Sequence, residues 1–177
     1  TARVAVDGEA VWEMDRADAN TCGDFTPYAG DADIPDPWGG HDNHECFFDV
    51  EQRIDVTGRS SFELEVSSEI NSGAGDESWG FSRLSITFDV APELTVVESA
   101  ELNWSNTQTY DAGGSEGVAN GFWGGDVPSV STTVPVPAGA STAVLRLRYW
   151  AIDSWDGGET ARVAVDGEAV WEMDRAD

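Results

Sequence analysis

Two groups of acidic residues in this sequence have the spacing of a cation site. Asp153, Asp156 and Glu159 lie within seven residues, and Asp76 and Glu77 are adjacent. Carboxylate oxygens grouped on loops suit Ca²⁺, which takes roughly six to eight oxygen ligands, backbone carbonyls among them. The sequence therefore predicts a calcium ion that braces loops rather than one that takes part in catalysis. The alternative for either group is a solvated turn in a very acidic chain.

Side chains with the pattern of an enzyme site are few. The two histidines, His41 and His44, lie close to Asp42 and Glu45 and could bind a transition metal, but no second group of ligands matches them. Carboxylates are numerous enough for a glycosidase pair, yet nothing marks one pair as special. A nucleophile with an assigned base is missing, and so is a glycine-rich phosphate loop that opens a helix. We therefore expect a protein that is not an enzyme.

Two tryptophans precede pairs of glycines, in Trp38-Gly39-Gly40 and Trp123-Gly124-Gly125. An exposed indole in a glycine-rich loop offers a large flat face to the apolar side of a sugar ring. Trp38 and Trp123 are thus candidate carbohydrate-binding residues. The alternative is that each indole folds over the edge of the fold and extends the core.

The chain has two cysteines, Cys22 and Cys46, on either side of a loop that is rich in proline and glycine. Two cysteines in an acidic, tryptophan-rich chain are typical of an extracellular protein with one disulfide. A bridge that closes a loop of this length contributes on the order of 3 kcal/mol. The alternative is a pair of unrelated buried thiols.

A sequon for N-glycosylation is present at Asn103-Trp104-Ser105. Such an acceptor is expected on the surface of a secreted protein. Asn103 is therefore a candidate glycosylation site, although short sequons also arise by chance.

The segment Thr1–Asp18 recurs letter for letter as Thr160–Asp177, at an offset of 160 − 1 = 159 residues. Duplicated domains that diverge rarely keep so long a run of identities, so we interpret the chain as one period, plus an overlap, of an array of near-identical repeats. The alternative is a cloning scar or an engineered duplication. An array points to a structural or adhesive polymer.

The formal charge is −25, from 34 acidic residues and nine basic ones, and all nine basic residues are arginine. One overlap copy carries five acids and two arginines, so one repeat carries −25 + 3 = −22. Such a surface repels nucleic acid and anionic membranes, and it suits a medium rich in salt or divalent cations. No run approaches the roughly 20 apolar residues of a membrane helix. Halophily, calcium loading and the solubility of a secreted polymer all remain open as reasons for the acidity.

Alternation of apolar and polar residues predicts strands along most of the chain. The expected elements are a hairpin over Thr1–Met14 that recurs after residue 159, and strands over Phe47–Val50, Arg53–Val56, Phe62–Val66, Leu84–Val90, Leu94–Val97, Val130–Val136 and Leu145–Tyr149. Prolines place the strand over Val130–Val136 at a sheet edge. The glycine-rich stretch Asp111–Asp126 is expected to be irregular. Many short strands with turns between them predict an all-β fold, an antiparallel β-sandwich.

Two stretches resemble a known kind of module. The sequence reads AIDSWDGGETARVAVDGEAVW over Ala151–Trp171 and DESWGFSRLSI over Asp76–Ile86. Together they resemble the extracellular jelly-roll module of the galactose-binding-like type, which occurs in tandem repeats in surface proteins. The resemblance implies a jelly roll in which the two acidic segments lie near each other, and Gly157-Gly158 adds one residue before Glu159.

The order of the two stretches is the reverse of that expected for the module. A cut at an arbitrary point of a repeating array has this effect. We therefore expect residues 1–93 to be the C-terminal half of one module and residues 94–177 to be the N-terminal half of the next.

Taken together, these features predict a structural subunit of an extracellular or cell-surface filament, or of an adhesin stalk, braced by Ca²⁺. The expected partners are neighbouring copies of the same repeat, joined head to tail and with strands exchanged between units, or else joined as plain beads on a string. Glycans are a further candidate partner, whereas nucleic acid and membrane insertion are not expected. The alternative function is a calcium-dependent, lectin-like carbohydrate-binding module.

Overall fold

The computed structural model describes residues 2–6, 9–14, 26–27, 45–74, 77–90, 94–113, 116–153, 155 and 158–174, with side chains from residue 46 onward except those of residues 113, 153 and 174. The fold is all-β, and every strand pair is antiparallel. The strands are β1 (Ala2–Val6), β2 (Glu9–Met14), β3 (Thr26–Pro27), β4 (Glu45–Asp55), β5 (Ser61–Ser68), β6 (Glu77–Phe88), β7 (Thr95–Glu98), β8 (Thr109–Gly113), β9 (Gly117–Trp123), β10 (Ser129–Pro135), β11 (Thr142–Asp153), β12 (Thr160–Val165) and β13 (Glu168–Asp174). A 3₁₀ turn at Ser99–Glu101 follows β7. No helix in the described part of the chain is both long and apolar enough to cross a membrane.

The described strands form three sheets. A seven-stranded sheet has the order β3-β4-β11-β6-β9-β8, with β7 also paired to β6. A four-stranded sheet has the order β10-β5-β12-β13, and β1 and β2 form a two-stranded sheet of their own. We call β1 with β2 the N-terminal hairpin and β12 with β13 the C-terminal hairpin.

One hydrophobic core joins the two larger sheets, as in a sandwich. The four-stranded sheet contributes Leu64, Val66 and Val163, while the seven-stranded sheet contributes Ile86 and Leu145, and none of these side chains is measurably exposed. On β5, and on β11 between Leu145 and Tyr149, the residues that enter this core alternate with polar residues, as the sequence pattern predicts. The predicted position of the Val130–Val136 strand is also confirmed, because β10 lies at the edge of the four-stranded sheet.

A β-bulge at Arg83 divides β6 into two parts with opposite alternation. Arg83 has φ +54, and the register with β11 slips at this point. Trp79 and Phe81 enter the core before the bulge, whereas Leu84 and Ile86 enter it afterwards. The extra residue at a bulge is the reason for this change of phase.

A second apolar cluster lies on the opposite face of the seven-stranded sheet. Its buried members are Ala112, Ala119, Phe122, Trp150 and Ile152. The ring of Phe122 lies so close to Gly80 that a Cβ there would be 2.6 Å from the ring and 2.6 Å from the carbonyl oxygen of Asn120.

Two predictions of local structure are wrong. The stretch Asp111–Asp126 is not irregular, because it contains most of β8 and all of β9, and its glycines permit close packing against β6. The two short strands expected over Phe47–Val50 and Arg53–Val56 are a single strand, β4, which pairs with β11 from Glu45 to Asp55.

Strand pairs cross the predicted module boundary between residues 93 and 94. β11 pairs with both β4 and β6, and β5 pairs with both β10 and β12. In this chain the residues on both sides of the boundary therefore contribute to the same two sheets. The assignment of the two sides to successive modules of a longer array stays a prediction.

Candidate functional site

The register between β6 and β11 brings the two acidic segments to one end of the seven-stranded sheet. Asp153 at the end of β11 is directly opposite Glu77 at the start of β6. Residues opposite each other in an antiparallel pair have Cα atoms about 4.5–5.5 Å apart. The described strands therefore place the start of β6 beside the end of β11.

Two carboxylates at this end are buried. Glu77 is 2% exposed and Glu159 is 3% exposed. The Oε1 atom of Glu159 accepts hydrogen bonds from the backbone nitrogen of Asn71 at 3.2 Å and from its Nδ2 at 3.1 Å. A buried carboxylate is costly unless hydrogen bonds or a cation compensate for its lost hydration. Asn71 is part of that compensation, and no sequence pattern marked it.

The loop that contains Asn71 also positions Glu77. The backbone nitrogen of Glu77 donates a hydrogen bond to the carbonyl of Gly73 at 3.2 Å. Beside it, the indole nitrogen of Trp155 donates to the carbonyl of Ser78 at 3.0 Å. Residues 69–74 therefore link Glu159 to the start of β6. We call these six residues the acidic-site loop.

Glycines after β9 hold the acidic-site loop in place. A Cβ on Gly124 would overlap the backbone nitrogen of Ala74, and a Cβ on Gly125 would lie 2.5 Å from the carbonyl oxygen of Ile70. In the other direction, the backbone nitrogen of Gly125 donates to the carbonyl of Ser72 at 2.8 Å. The Trp-Gly-Gly motif therefore serves close backbone packing against the acidic-site loop.

The sugar-binding prediction for Trp123 is corrected by its burial. The indole is 2% exposed, and its ring centroid lies 4.8 Å from that of Trp79 and 6.2 Å from that of Phe81. An indole inside the core offers no face to a sugar. Alternation places Trp123 there because β9 continues through it and pairs it with Trp79. Trp38, the other candidate, lies outside the described residues.

We predict that Gly124→Ala destabilises the protein by about 1–3 kcal/mol, because the added methyl group must displace the backbone of the acidic-site loop. Urea unfolding monitored by tryptophan fluorescence measures the change. Gly73→Ala in the same loop is the matched control, since a Cβ at Gly73 meets no atom of the described residues within 4 Å. Equal midpoints for the two variants would contradict the packing described here.

The described side chains cover only part of the predicted cation site. Of the five predicted ligands, the structure describes the side chains of Glu77 and Glu159. Asp76 and Asp156 lie outside the described residues, and Asp153 is described for its backbone only. Within the described side chains no group of three or more possible metal ligands occurs. Glu77 and Glu159 have the oxygen chemistry that a hard cation such as Ca²⁺ takes, and the backbone of Asp153 is paired with that of Glu77.

The predicted modification sites have different environments. Asn103 is exposed and immediately precedes the buried Trp104, and its backbone carbonyl accepts a hydrogen bond from Thr132 at 3.2 Å. Cys46 is 4% exposed in the core, while Cys22 lies outside the described residues. Glycosylation of Asn103 and the bridge between the cysteines both stay predictions.

A buried charge cluster lies on the outer face of the seven-stranded sheet, and the sequence patterns missed it. The carboxylate of Glu116, whose side chain is 1% exposed, accepts hydrogen bonds from Arg148 at 2.8 Å, Arg83 at 2.6 Å and Ser82 at 3.2 Å. Arg148 also donates two hydrogen bonds to Asp49, both at 2.7 Å, and these are the main reason for its raised pKa. These contacts join the turn between β8 and β9 to strands β4, β6 and β11.

The C-terminal hairpin pairs with β5 along residues 161–165. Asp166 in its turn reaches β5 as well: its Oδ1 accepts from the backbone nitrogen of Glu63 at 2.8 Å, and Arg59 forms an ion pair with its other oxygen. An Asp-Gly pair between two strands ordinarily serves only to form the turn. The contact with Glu63 and Arg59 adds a second role, and we call it the Asp166 clamp.

The N-terminal hairpin repeats the register of the C-terminal one. Its five residue pairs, from Ala2 with Met14 to Val6 with Glu9, become five pairs of the second hairpin when 159 is added to each number. Among the described strands, β1 and β2 pair only with each other. The chain thus carries two copies of one hairpin, of which one is paired to β5.

Comparisons with known proteins leave the identity of the chain open. No family model matches it, and no curated protein and no solved structure shows significant similarity to it. The resemblance to jelly-roll modules of the galactose-binding-like type stays a prediction from the sequence.

Proposed function

We propose that this protein is a structural subunit of an extracellular filament or adhesin stalk, built from tandem β-sandwich repeats of the jelly-roll type and braced by Ca²⁺. The observation that carries the proposal is the duplicated hairpin. Two identical segments fold with the same register, and one of them completes the four-stranded sheet. Each repeat of a longer array would then supply one hairpin for each β5.

Burial of the C-terminal hairpin, which pairs with β5, supports a repeating structural unit. Val163 and Ala161 are fully buried, and Trp171 packs in tilted contacts against Phe48 and Tyr149, with ring centroids 5.2 and 5.7 Å apart. A sheet without its hairpin would expose this apolar surface to water, which is unfavourable in proportion to the area exposed. The unit is therefore complete only when a hairpin occupies β5, as expected for a protein whose repeats share contacts down an array.

The spacing of proteolytic fragments of the native polypeptide tests whether it contains an array of repeats. Limited proteolysis of the native material, followed by mass spectrometry under denaturing conditions, should give a ladder of fragments spaced by one 159-residue repeat. A single native chain that contains only one period would contradict the array, and the hairpin would then be an isolated duplication.

Calcium is proposed to act at the end of the sheet where Glu77 is paired with Asp153 and where the acidic-site loop contacts both Glu77 and Glu159. A cation there would offset the mutual repulsion of the carboxylates and would hold the two acidic loops together. Because a ligand stabilises the folded state that binds it, saturation at about 100 times Kd adds about 2.7 kcal/mol. That corresponds to a rise in Tm of about 5–10 °C for a chain of this size.

We predict that calcium raises Tm by this amount over a chelator for the native sequence, and that Glu159→Gln loses most of the rise. The amide keeps an oxygen for the hydrogen bonds from Asn71 but removes one negative charge. Scanning calorimetry with calcium and with chelator measures both values. Glu168→Gln, at an exposed carboxylate of the C-terminal hairpin, should retain the full rise. An equal calcium response in all three proteins would place the ion elsewhere.

The lectin-like alternative has less support than the filament. It relied on open indoles at Trp38 and Trp123, and Trp123 is part of the core. The charge of the chain and the buried carboxylates fit a bracing cation equally well under either function. The duplicated hairpin has a role only in the filament.

A further inference from the structure

The N-terminal hairpin is an identical copy of a hairpin that the four-stranded sheet already contains. We propose that β5 of one molecule binds the N-terminal hairpin of a second molecule, in place of its own C-terminal hairpin. The contact would be made by the side of β5 that pairs with β12, which we call the β5 edge. The inference rests on the proposed function and names the surface and the contacts through which separate copies would join. Its occupant is a second copy of this chain.

The main-chain contacts of the β5 edge are independent of which copy supplies the hairpin. Residues Ala161–Val165 pair with Leu64–Ser68, and the N-terminal hairpin has the same residues in the same register over Ala2–Val6. Backbone hydrogen bonds provide affinity in strand addition, and the alternating side chains provide specificity. Both are identical for the two hairpins.

The Asp166 clamp extends this identity to the side chains. Asp166 and Gly167 have φ +50 and +82, the left-handed pair of a type I′ turn, which favours Asp-Gly. In that conformation the Asp166 carboxylate reaches the backbone nitrogen of Glu63, and Arg59 forms an ion pair with it. Asp7-Gly8 is the same dipeptide at the same place in the N-terminal hairpin. The β5 edge therefore presents Arg59 and Glu63 equally to either copy.

Connection length decides which copy occupies the edge in an isolated molecule. Only residues 154–159 separate β11 from β12, so the C-terminal hairpin is held at a high effective concentration near β5. A hairpin from a second molecule competes at the bulk concentration of the protein. Exchange is therefore rare in dilute solution, and it increases when the C-terminal hairpin binds less tightly or when the protein is concentrated.

A matched pair of substitutions tests the proposal in the full chain. Asp166→Gly keeps the left-handed turn and removes the clamp from the C-terminal hairpin, and Asp7→Gly makes the identical change in the N-terminal hairpin. Loss of one hydrogen bond and one exposed ion pair lowers the affinity of the affected hairpin for β5 about fivefold. We expect Asp166→Gly to lower the dissociation constant for self-association about fivefold relative to the native chain, and Asp7→Gly to raise it by a similar factor.

Sedimentation equilibrium over a wide range of protein concentration measures the molar mass of each variant. A larger mass for Asp166→Gly than for Asp7→Gly supports exchange between molecules, and adding Arg59→Ala to Asp166→Gly should reduce the association again. Monomers throughout would overturn the proposal, whether the N-terminal hairpin stays free or pairs with β5 of its own chain. Equal association of both variants would overturn it too, because the contact would then lie elsewhere.

Circular dichroism in the near ultraviolet checks that Asp166→Gly is folded. The milder pair Asp166→Asn and Asp7→Asn keeps an oxygen for the Glu63 nitrogen while removing the charge, and it gives the same comparison if the glycine variant unfolds. A result against hairpin exchange can be distinguished from a result against the proposed function. Monomeric variants together with a proteolytic ladder of 159-residue steps would leave an array whose repeats do not exchange hairpins.

Discussion

Replacing Arg148 with methionine should destabilise the protein by about 3–5 kcal/mol. The Glu116 carboxylate is buried, with 1% of its side chain exposed, and Arg148 is its most deeply buried cationic partner, at 10% exposure. Removal of one partner from a buried ion pair leaves a charge without compensation, and the cost is typically of this size. The remaining partner, Arg83, is 42% exposed and compensates less well because water screens the interaction.

The neighbouring Arg146 provides the control for this experiment. Arg146 pairs with Glu51 at 2.8 Å on the same strands, but the two side chains are 50% and 65% exposed. Arg146→Met should therefore change the unfolding free energy by less than about 1 kcal/mol. Urea unfolding measures the free energy of unfolding of both variants, and an m-value equal to that of the native chain shows that the values can be compared. An equally small effect for Arg148→Met would mean that the Glu116 cluster is hydrated in solution.

A second large effect is expected at Trp123, where Trp123→Ala should cost about 3–5 kcal/mol. The substitution removes a buried indole from contact with Trp79 and Phe81 and leaves a cavity between the sheets. This prediction also separates the two candidate functions. A sugar-binding residue on the surface could be replaced with little loss of stability but with loss of binding.

Phenylalanine variants refine the comparison at this core position. Within the described part of the chain the indole nitrogen of Trp123 has no hydrogen-bond partner, whereas that of Trp79 donates to the carbonyl of Val127 at 3.0 Å. Trp123→Phe should therefore be less destabilising than Trp79→Phe by about 1 kcal/mol, the usual net value of one hydrogen bond. Thermal unfolding followed by circular dichroism gives both values. A larger loss at Trp123→Phe would contradict the assignment of these two contacts.

The strands that were predictable from the sequence are those with one solvent-exposed face and one buried face. The alternation of Phe62, Leu64 and Val66 predicts β5, and the prolines after Val134 predict an edge strand. In both cases a single periodic signal decides the structure, because the side chains of a strand alternate between two environments. The hairpins were predictable for a similar reason, since an Asp-Gly pair between apolar runs favours a two-residue turn.

Other features depend on contacts between distant segments and leave no local signal. The bulge at Arg83 changes the phase of β6, and the lack of a Cβ at Gly80 allows the ring of Phe122 to approach it. A glycine that permits close packing has the same appearance in the sequence as a glycine in a flexible loop. The strands β8 and β9 were missed for this reason.

The candidate site was only partly predictable. The acidic groups were visible as motifs, but the hydrogen bonds from Asn71 to Glu159 join residues that are 88 positions apart. Trp123 was misassigned because burial of an indole depends on the partner strand, here through its pairing with Trp79. Glu116 resembled any other acid in a chain that has 34 of them.

Electron microscopy of the native material, with and without a calcium chelator, tests the filament most directly. The account predicts filaments with an axial repeat of one domain, whose order is lost when chelator removes the ion that braces each unit. Filaments that are unchanged by chelator would retain the array and remove the calcium brace. Discrete particles of a single domain would contradict the filament, and the lectin-like alternative would then be tested against an array of glycans.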